Sequence, residues 1–241
     1  MKVLKVILVS AFAGALMLTS LGTAQADSFS VLQWTGTCAS PCAITDATEQ
    51  ALPTNPLTTT NTGTASFDFT QTPNLDLAVP PGGNNNKDFF SPGTVGSFTG
   101  TGVLGTQALW EAAPLSTGNP GYTTTTTSGA QTTTLWEFTF STGATSGLTI
   151  THDDGVSLFL DGSGTNLLPV ADSAPTNADI STTGALAAGT YHLWYIEANN
   201  IPAVLNVAGI TPVPEPASLA LAGTALLGIG MSLIWRRRKA A

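Results

Sequence analysis

The chain has 241 residues, a net charge of −8 and only 9% charged residues, and six of its seven Lys and Arg lie at the two ends. Residues 27–212 keep fourteen of the fifteen acids against Lys87 alone, a charge of about −13. Such a segment excludes nucleic-acid binding, which needs Lys and Arg to neutralise phosphates, and polybasic contact with a membrane; it suits divalent cations or simple solubility.

The chain opens on Lys2 and Lys5, an apolar run over 6–18 and the small-x-small site Ala24-Gln25-Ala26. That order predicts a signal peptide over 1–26, read by the Sec export machinery, and a mature chain that starts at Asp27. Setting aside both terminal segments leaves 27–212, long enough for one extracytoplasmic domain with a core and short for two.

Cys38 and Cys42 are the only cysteines. In an exported chain such a pair becomes a disulfide, here closing the small loop Cys38-Ala39-Ser40-Pro41-Cys42. Zinc needs about four ligands, and the only histidines, His152 and His192, are distant in sequence. Three intervening residues exclude a C-x-x-C redox motif.

Alternation predicts a first strand over 28–34, with Phe29 and Val31 on one face and Leu32 and Trp34 on the other. Residues 52–65, rich in Thr, Pro and Asn, read as a surface loop. A strand at 66–70 points Phe67 and Phe69 inward. Residues 71–100 read as a long loop with one short strand at 95–98, and 102–110 as a further strand. The Thr-rich region 116–134 reads as a polar loop between strands, the other reading being a stalk whose hydroxyls carry O-glycans. Strands follow at 135–140, 148–152, 156–160, 190–197 and 203–207, with turns at Asp153-Asp154-Gly155 and Asp161-Gly162. No amphipathic helix is expected before Ala217. Many short strands with turn residues between them predict an all-β, antiparallel β-sandwich with long Thr- and Gly-rich loops.

The run Leu148-Thr149-Ile150-Thr151-His152-Asp153-Asp154-Gly155-Val156-Ser157-Leu158-Phe159-Leu160-Asp161-Gly162 resembles the central hairpin of PA14-type domains. The segment 186–197, with Gly189 before its aromatics, resembles the strand that follows. The resemblance covers about 135–210 and implies a PA14-like jelly roll. In sugar-binding members adjacent aspartates hold Ca²⁺, which carries over to Asp153 and Asp154 alone and implies calcium as cofactor and carbohydrate as ligand. Asn166, Asp172, Asn199 and Asn200 lie on other loops and would add oxygens if the fold gathers them, since Ca²⁺ takes six to eight. The other reading is structural: both aspartates cap a turn and Gly155 supplies φ > 0.

Catalysis finds little support. Adjacent aspartates on one turn do not make a glycosidase pair set about 5–10 Å apart across a cleft. Gly143-Ala144-Thr145-Ser146-Gly147 has Thr where a serine hydrolase carries its nucleophile. His152 reads as a polar surface residue at a strand end and His192 as structural. Trp194 and Tyr195 read as core, with one of them turned outward and able to stack on a sugar ring. The chain is therefore read as not an enzyme.

The C-terminal segment 213–241 has three parts. Val213, Pro214, Glu215 and Pro216 form a short extended motif, because each proline fixes φ and keeps its neighbour out of α geometry. Residues 217–235 carry no charge and as a helix would span about 28 Å, close to the ~30 Å core of a bilayer. Arg236, Arg237, Arg238 and Lys239 form a basic stop that holds this end in the cytoplasm. Val213-Pro214-Glu215-Pro216-Ala217-Ser218 and the Arg cluster resemble the PEP-CTERM sorting signal of Gram-negative bacteria. The resemblance implies processing by an exosortase-type membrane protease, anchoring in the inner membrane beforehand, and display at the cell surface or in the extracellular matrix. The signal is an address and does not name the cargo's role. The acidic, Thr-rich, cation-poor domain between two export signals reads as a non-catalytic structural or adhesive component associated with extracellular polysaccharide. The alternatives are a Ca²⁺-dependent carbohydrate-binding module and a hydrolase of matrix glycans.

Overall fold

The computed structural model describes residues 27–38, 43, 45–71, 74–117, 131–198 and 202–213. The expected signal peptide, the motif from Pro214 onward, the apolar helix at 217–235, the basic stop, Cys42, Asn199 and Asn200 lie outside the described residues. Cys38 is buried and disulfide-bonded. Among the described residues no helix is long and apolar enough to cross a membrane.

Within the compact unit Gln25–Pro212, the strands are β1 (Asp27–Cys38), β2 (Gly63–Gln71), β3 (Leu75–Ala78), β4 (Thr94–Gly102), β5 (Gln131–Thr142), β6 (Thr149–Asp153), β7 (Val156–Leu160), β8 (Asp179–Thr182), β9 (Gly189–Glu197) and β10 (Val204–Ala208). Two short helices, α1 (Asn86–Phe89) and α2 (Gln107–Ala112), follow β3 and β4. The larger sheet runs β4-β2-β1-β5-β9-β7 and the smaller β3-β10-β6-β8, and every pairing is antiparallel. This is the all-β sandwich that the alternation predicts.

The period of two explains the packing. Along β1, Phe29 and Val31 are buried while Ser28, Ser30 and Leu32 are exposed. The register sets Val31 opposite Phe67 on β2 and Phe138 on β5, so apolar rows from three strands coincide. The inner face fills with aromatics: Phe67 meets Trp110 with ring centroids 4.8 Å apart and Phe90 edge-on at 5.1 Å. From the smaller sheet Leu75, Leu77, Ile150, Leu205 and Val207 close the core.

Several elements differ from the sequence expectation. The strand expected over 102–110 gives way to α2, because the Thr106 side chain caps it by accepting the Leu109 N–H at 3.3 Å and Gln-Ala-Leu-Trp-Glu-Ala is a helix-forming run. Trp110 turns into the core and donates its indole N–H to Gln33 Oε1 at 2.6 Å. The expected loop 71–100 holds β3, α1 and most of β4, which runs from Thr94 to Gly102 where a short strand at 95–98 is expected. β5 begins at Gln131, inside the expected Thr-rich loop, because Thr133 and Thr134 are buried and their hydroxyls are bonded to Glu49 and the Leu115 carbonyl. β8, four residues long, has a polar sequence with no clear alternation.

The largest departure is the expected surface loop at 52–65. β2 starts at Gly63, and residues 45–62 fold across the outer face of the larger sheet. Ala51 and Leu57 bury there with Leu135, Trp194, Ile196 and Ala198, flanked by Leu52 and Trp34. The larger sheet is thus covered at one end on both faces.

Finally, β6 and β7 do not pair: β6 belongs to the smaller sheet and β7 to the larger. Asp153-Asp154-Gly155 is a crossover between sheets, in place of the expected hairpin turn. The second turn stands as expected in one respect, with Gly162 at φ +72° and free of neighbours.

Candidate functional site

The crossover places an acidic group inside the end of the sandwich. Asp153 ends β6, and alternation along β9 turns Tyr191, Leu193, Tyr195 and Glu197 toward the core. Asp153 is 3% exposed, Asp154 and Glu197 0%. The Asp153–Asp154 peptide bond is cis. Asp154 Oδ2 accepts the Ala198 N–H at 2.8 Å, which ties the crossover to the end of β9, 44 residues on. The Asp154 carboxylate thus makes a long-range tie.

Glu197 lies between Ser116, whose hydroxyl donates to Oε1 at 3.1 Å, and Tyr195, whose hydroxyl is 3.3 Å from Oε2. The Tyr195 hydroxyl donates to the Asp153 carbonyl. Burial pushes the Glu197 carboxyl well above its usual range; the Asp154 charge raises it further, against the lowering bond from Ser116, and Asp153 adds a smaller push. Burial likewise raises the Tyr195 phenol, followed by the Glu197, Asp154 and Asp153 charges. Glu197 is not among the sequence-predicted site residues, and Tyr195 is read there only as core or as a ring for sugar stacking. The usable indication was parity: a Glu at the core-facing position of an otherwise apolar strand.

His152 departs most from its expected place. It is fully buried, because it shares the inward parity of Ile150. Its Nδ1 lies 2.5 Å from the Asp154 carbonyl and its Nε2 2.9 Å from Ser181 Oγ on β8, whose hydroxyl donates to Asp172 Oδ2 at 2.5 Å. The network ties β6, β8 and the turn Val170–Ser173 together, and gives Asp172 a structural partner. Asn166 is occupied similarly, its Oδ1 accepting the N–H groups of Leu158 and Leu168. Among the described residues no three His, Cys, Asp or Glu side chains are grouped to hold a metal ion.

On the outer face of the larger sheet His192 is partly exposed, with Nδ1 2.5 Å from Glu137 and Nε2 3.3 Å from Asp161. Trp194 is the outward residue of the Trp194-Tyr195 pair, yet it is only 6% exposed, because Trp34 stacks on it at 5.6 Å. Trp194 therefore offers little surface to a sugar ring.

The sandwich ends in an exposed stretch, with Val213 at 46% exposure. Residues 212–239 match the family model described as the PEP-CTERM protein-sorting motif. The chain carries a PEP-CTERM sorting signal. That motif marks an exported protein, anchored in the membrane and processed there by an exosortase before surface display. The match spans Val213, Pro214, Glu215, Pro216, the apolar 217–235 segment and the basic stop, so the PEP-CTERM signal supplies an address and leaves the sandwich's own activity to its geometry. No curated protein matches the chain.

Proposed function

We propose that this PEP-CTERM protein is a non-catalytic structural or adhesive component of the cell surface or extracellular matrix, associated with extracellular polysaccharide. The carrying observation is the sorting signal at the end of a cation-poor, acidic β-sandwich. Such a domain stays soluble and repels nucleic acid while its address places it outside the cell. In a producing strain with an exosortase, Glu215→Ala should abolish C-terminal processing and leave an uncleaved species on immunoblots. Normal processing of that variant would mean that Glu215 takes no part in recognition, and the Pro-Glu-Pro reading of the segment would fail.

A second reading is a Ca²⁺-dependent carbohydrate-binding module of PA14 type. It rests on Asp153 and Asp154, adjacent carboxyls where the chain crosses between the sheets. A divalent cation held by Asp153 and Asp154 would relieve the repulsion that both exert on Glu197. Because both are buried, sugar hydroxyls would reach it only with the end of the sandwich open. Calcium should then raise the unfolding midpoint of the full chain. Binding to the native state alone adds about 2.7 kcal/mol at a hundredfold excess over Kd, and Asp153→Ala with Asp154→Ala should remove the shift. A melting curve unmoved between calcium and chelator would leave both aspartates as structural ties.

A further inference from the structure

Residues 45–62 contribute no strand to either sheet, yet they cap the outer face of the larger one. One acid goes under with them. Glu49 is 0% exposed. Its Oε1 accepts the Thr133 hydroxyl at 2.7 Å, while Oε2 is buried with no hydrogen-bond partner among the described residues. Asp46 is the charged neighbour on its own segment. The strands beneath, β1 over 33–38 and β5 over 131–134, carry no charged residue. The turn Val170–Ser173, which bonds the segment at Gln50 and Ala51, brings only Asp172. Lys87, the single Lys or Arg between 27 and 212, sits on α1. An ionised Glu49 would thus be a buried anion with one donor and acidic company.

We infer that Glu49 makes residues 45–62 a pH-dependent flap, docked while the carboxyl is neutral and loosened once it ionises, uncovering the Trp34–Trp194 pair. The attachments are few enough for local opening. In the middle of the segment the Ala51 N–H bonds the Ser173 carbonyl at 2.8 Å, the Ser157 hydroxyl bonds the Ala51 carbonyl, the Ser173 hydroxyl bonds Gln50 and Thr133 holds Glu49. At its C-terminal end Thr62 is fixed to Thr35 and Val103 and marks the hinge. Asn55 stiffens the segment internally, its side-chain N–H groups donating to the carbonyls of Thr48 and Gln50. It therefore lifts as a unit.

Burial, offset in part by the Thr133 bond and reinforced by the Asp46 charge, pushes the Glu49 carboxyl from 4.5 up to about 7. The docked form holds its proton to higher pH than the open form does. Docking is strongest below 4.5, weakens as pH rises from there to about 7, and is level above. The shift corresponds to a change on the order of a hundredfold in the docking equilibrium.

Hydrogen exchange of the full chain in detergent micelles tests this, at about pH 5 and about pH 8 and corrected for intrinsic base catalysis. Peptides from 45–62 should lose on the order of a hundredfold in protection at the higher pH, while β9 peptides keep theirs. Glu49→Gln, which retains an acceptor for Thr133 and cannot ionise, should keep the segment protected at both. Unchanged protection of 45–62 in the wild type overturns the flap. So does an equal loss in β9, which would make the effect global, or the same loss in Glu49→Gln. If that variant fails to fold, the wild-type comparison of the two regions decides alone. None of these outcomes depends on calcium or on sorting.

Discussion

Phe67→Ala is expected to destabilise the sandwich by about 4 kcal/mol, since truncating a buried Phe removes its transfer free energy and leaves a cavity. The side chain is 1% exposed and touches Phe90, Phe98 and Trp110, which come from three separate elements or turns. None of these rings can move in without leaving another neighbour. Phe90 also packs on Phe69, Phe89 and Phe138, and the Trp110 indole is tethered to Gln33. A domain of this size holds roughly 5–15 kcal/mol in total, so one substitution should remove a third or more of it. Urea unfolding of the full chain, followed by the loss of aromatic near-ultraviolet signal, would read this as a large fall in midpoint at unchanged slope. Leu32→Ala, on the outer face at 38% exposure, is the matched control and should stay within about 0.5 kcal/mol. Similar shifts for both would mean that the aromatic cluster is loosely packed.

The sandwich was legible in the sequence where one face of a strand is buried and the other wet. Phe29 and Val31, Phe67 and Phe69, and Trp136 and Phe138 all lie buried, as their alternation and runs of apolar residues predict. It was illegible where burial is polar. Thr133 and Thr134 read as loop residues because nothing local shows that Glu49 and the Leu115 carbonyl will meet their hydroxyls. The covering of the outer face by residues 45–62 was hidden for a related reason: Ala51, Leu52 and Leu57 are scattered among Pro, Thr and Asn with no period, and only the sheet beneath gives them a common side. The acidic group was half legible. The Asp153-Asp154-Gly155 run was visible in the sequence, and the structure adds Glu197 and Tyr195 through β9 parity. Placing His152 on the surface failed because a strand end in the chain is an interior position when the chain there crosses between sheets.

That crossover also changes why Gly155 is glycine. Turn chemistry suggests that it supplies a positive φ, but Gly155 is not among the positive-φ residues, whereas Gly162 is, at +72°. What Gly155 supplies is room. A Cβ there would lie 2.3 Å from the Ser173 carbonyl oxygen and 2.7 Å from its carbon, both backbone atoms that no rotamer change can move. Ser173 cannot retreat freely, because its carbonyl accepts the Ala51 N–H; nor can Gly155, whose own carbonyl accepts the Ile196 N–H at 3.0 Å. Gly155→Ala should therefore cost about 3 kcal/mol, in the upper range for overpacking a close contact. Gly162→Ala has nothing within 4 Å and meets only the left-handed backbone penalty, about 1–2 kcal/mol. Thermal unfolding of the two variants should rank Gly155→Ala well below Gly162→Ala. The reverse order would mean that the turn Val170–Ser173 yields easily. The crossover would then be held by its hydrogen bonds to His152, Tyr195, Ile196 and Ala198 without a rigid wall at Ser173, and the acidic group would be less rigid than its burial implies.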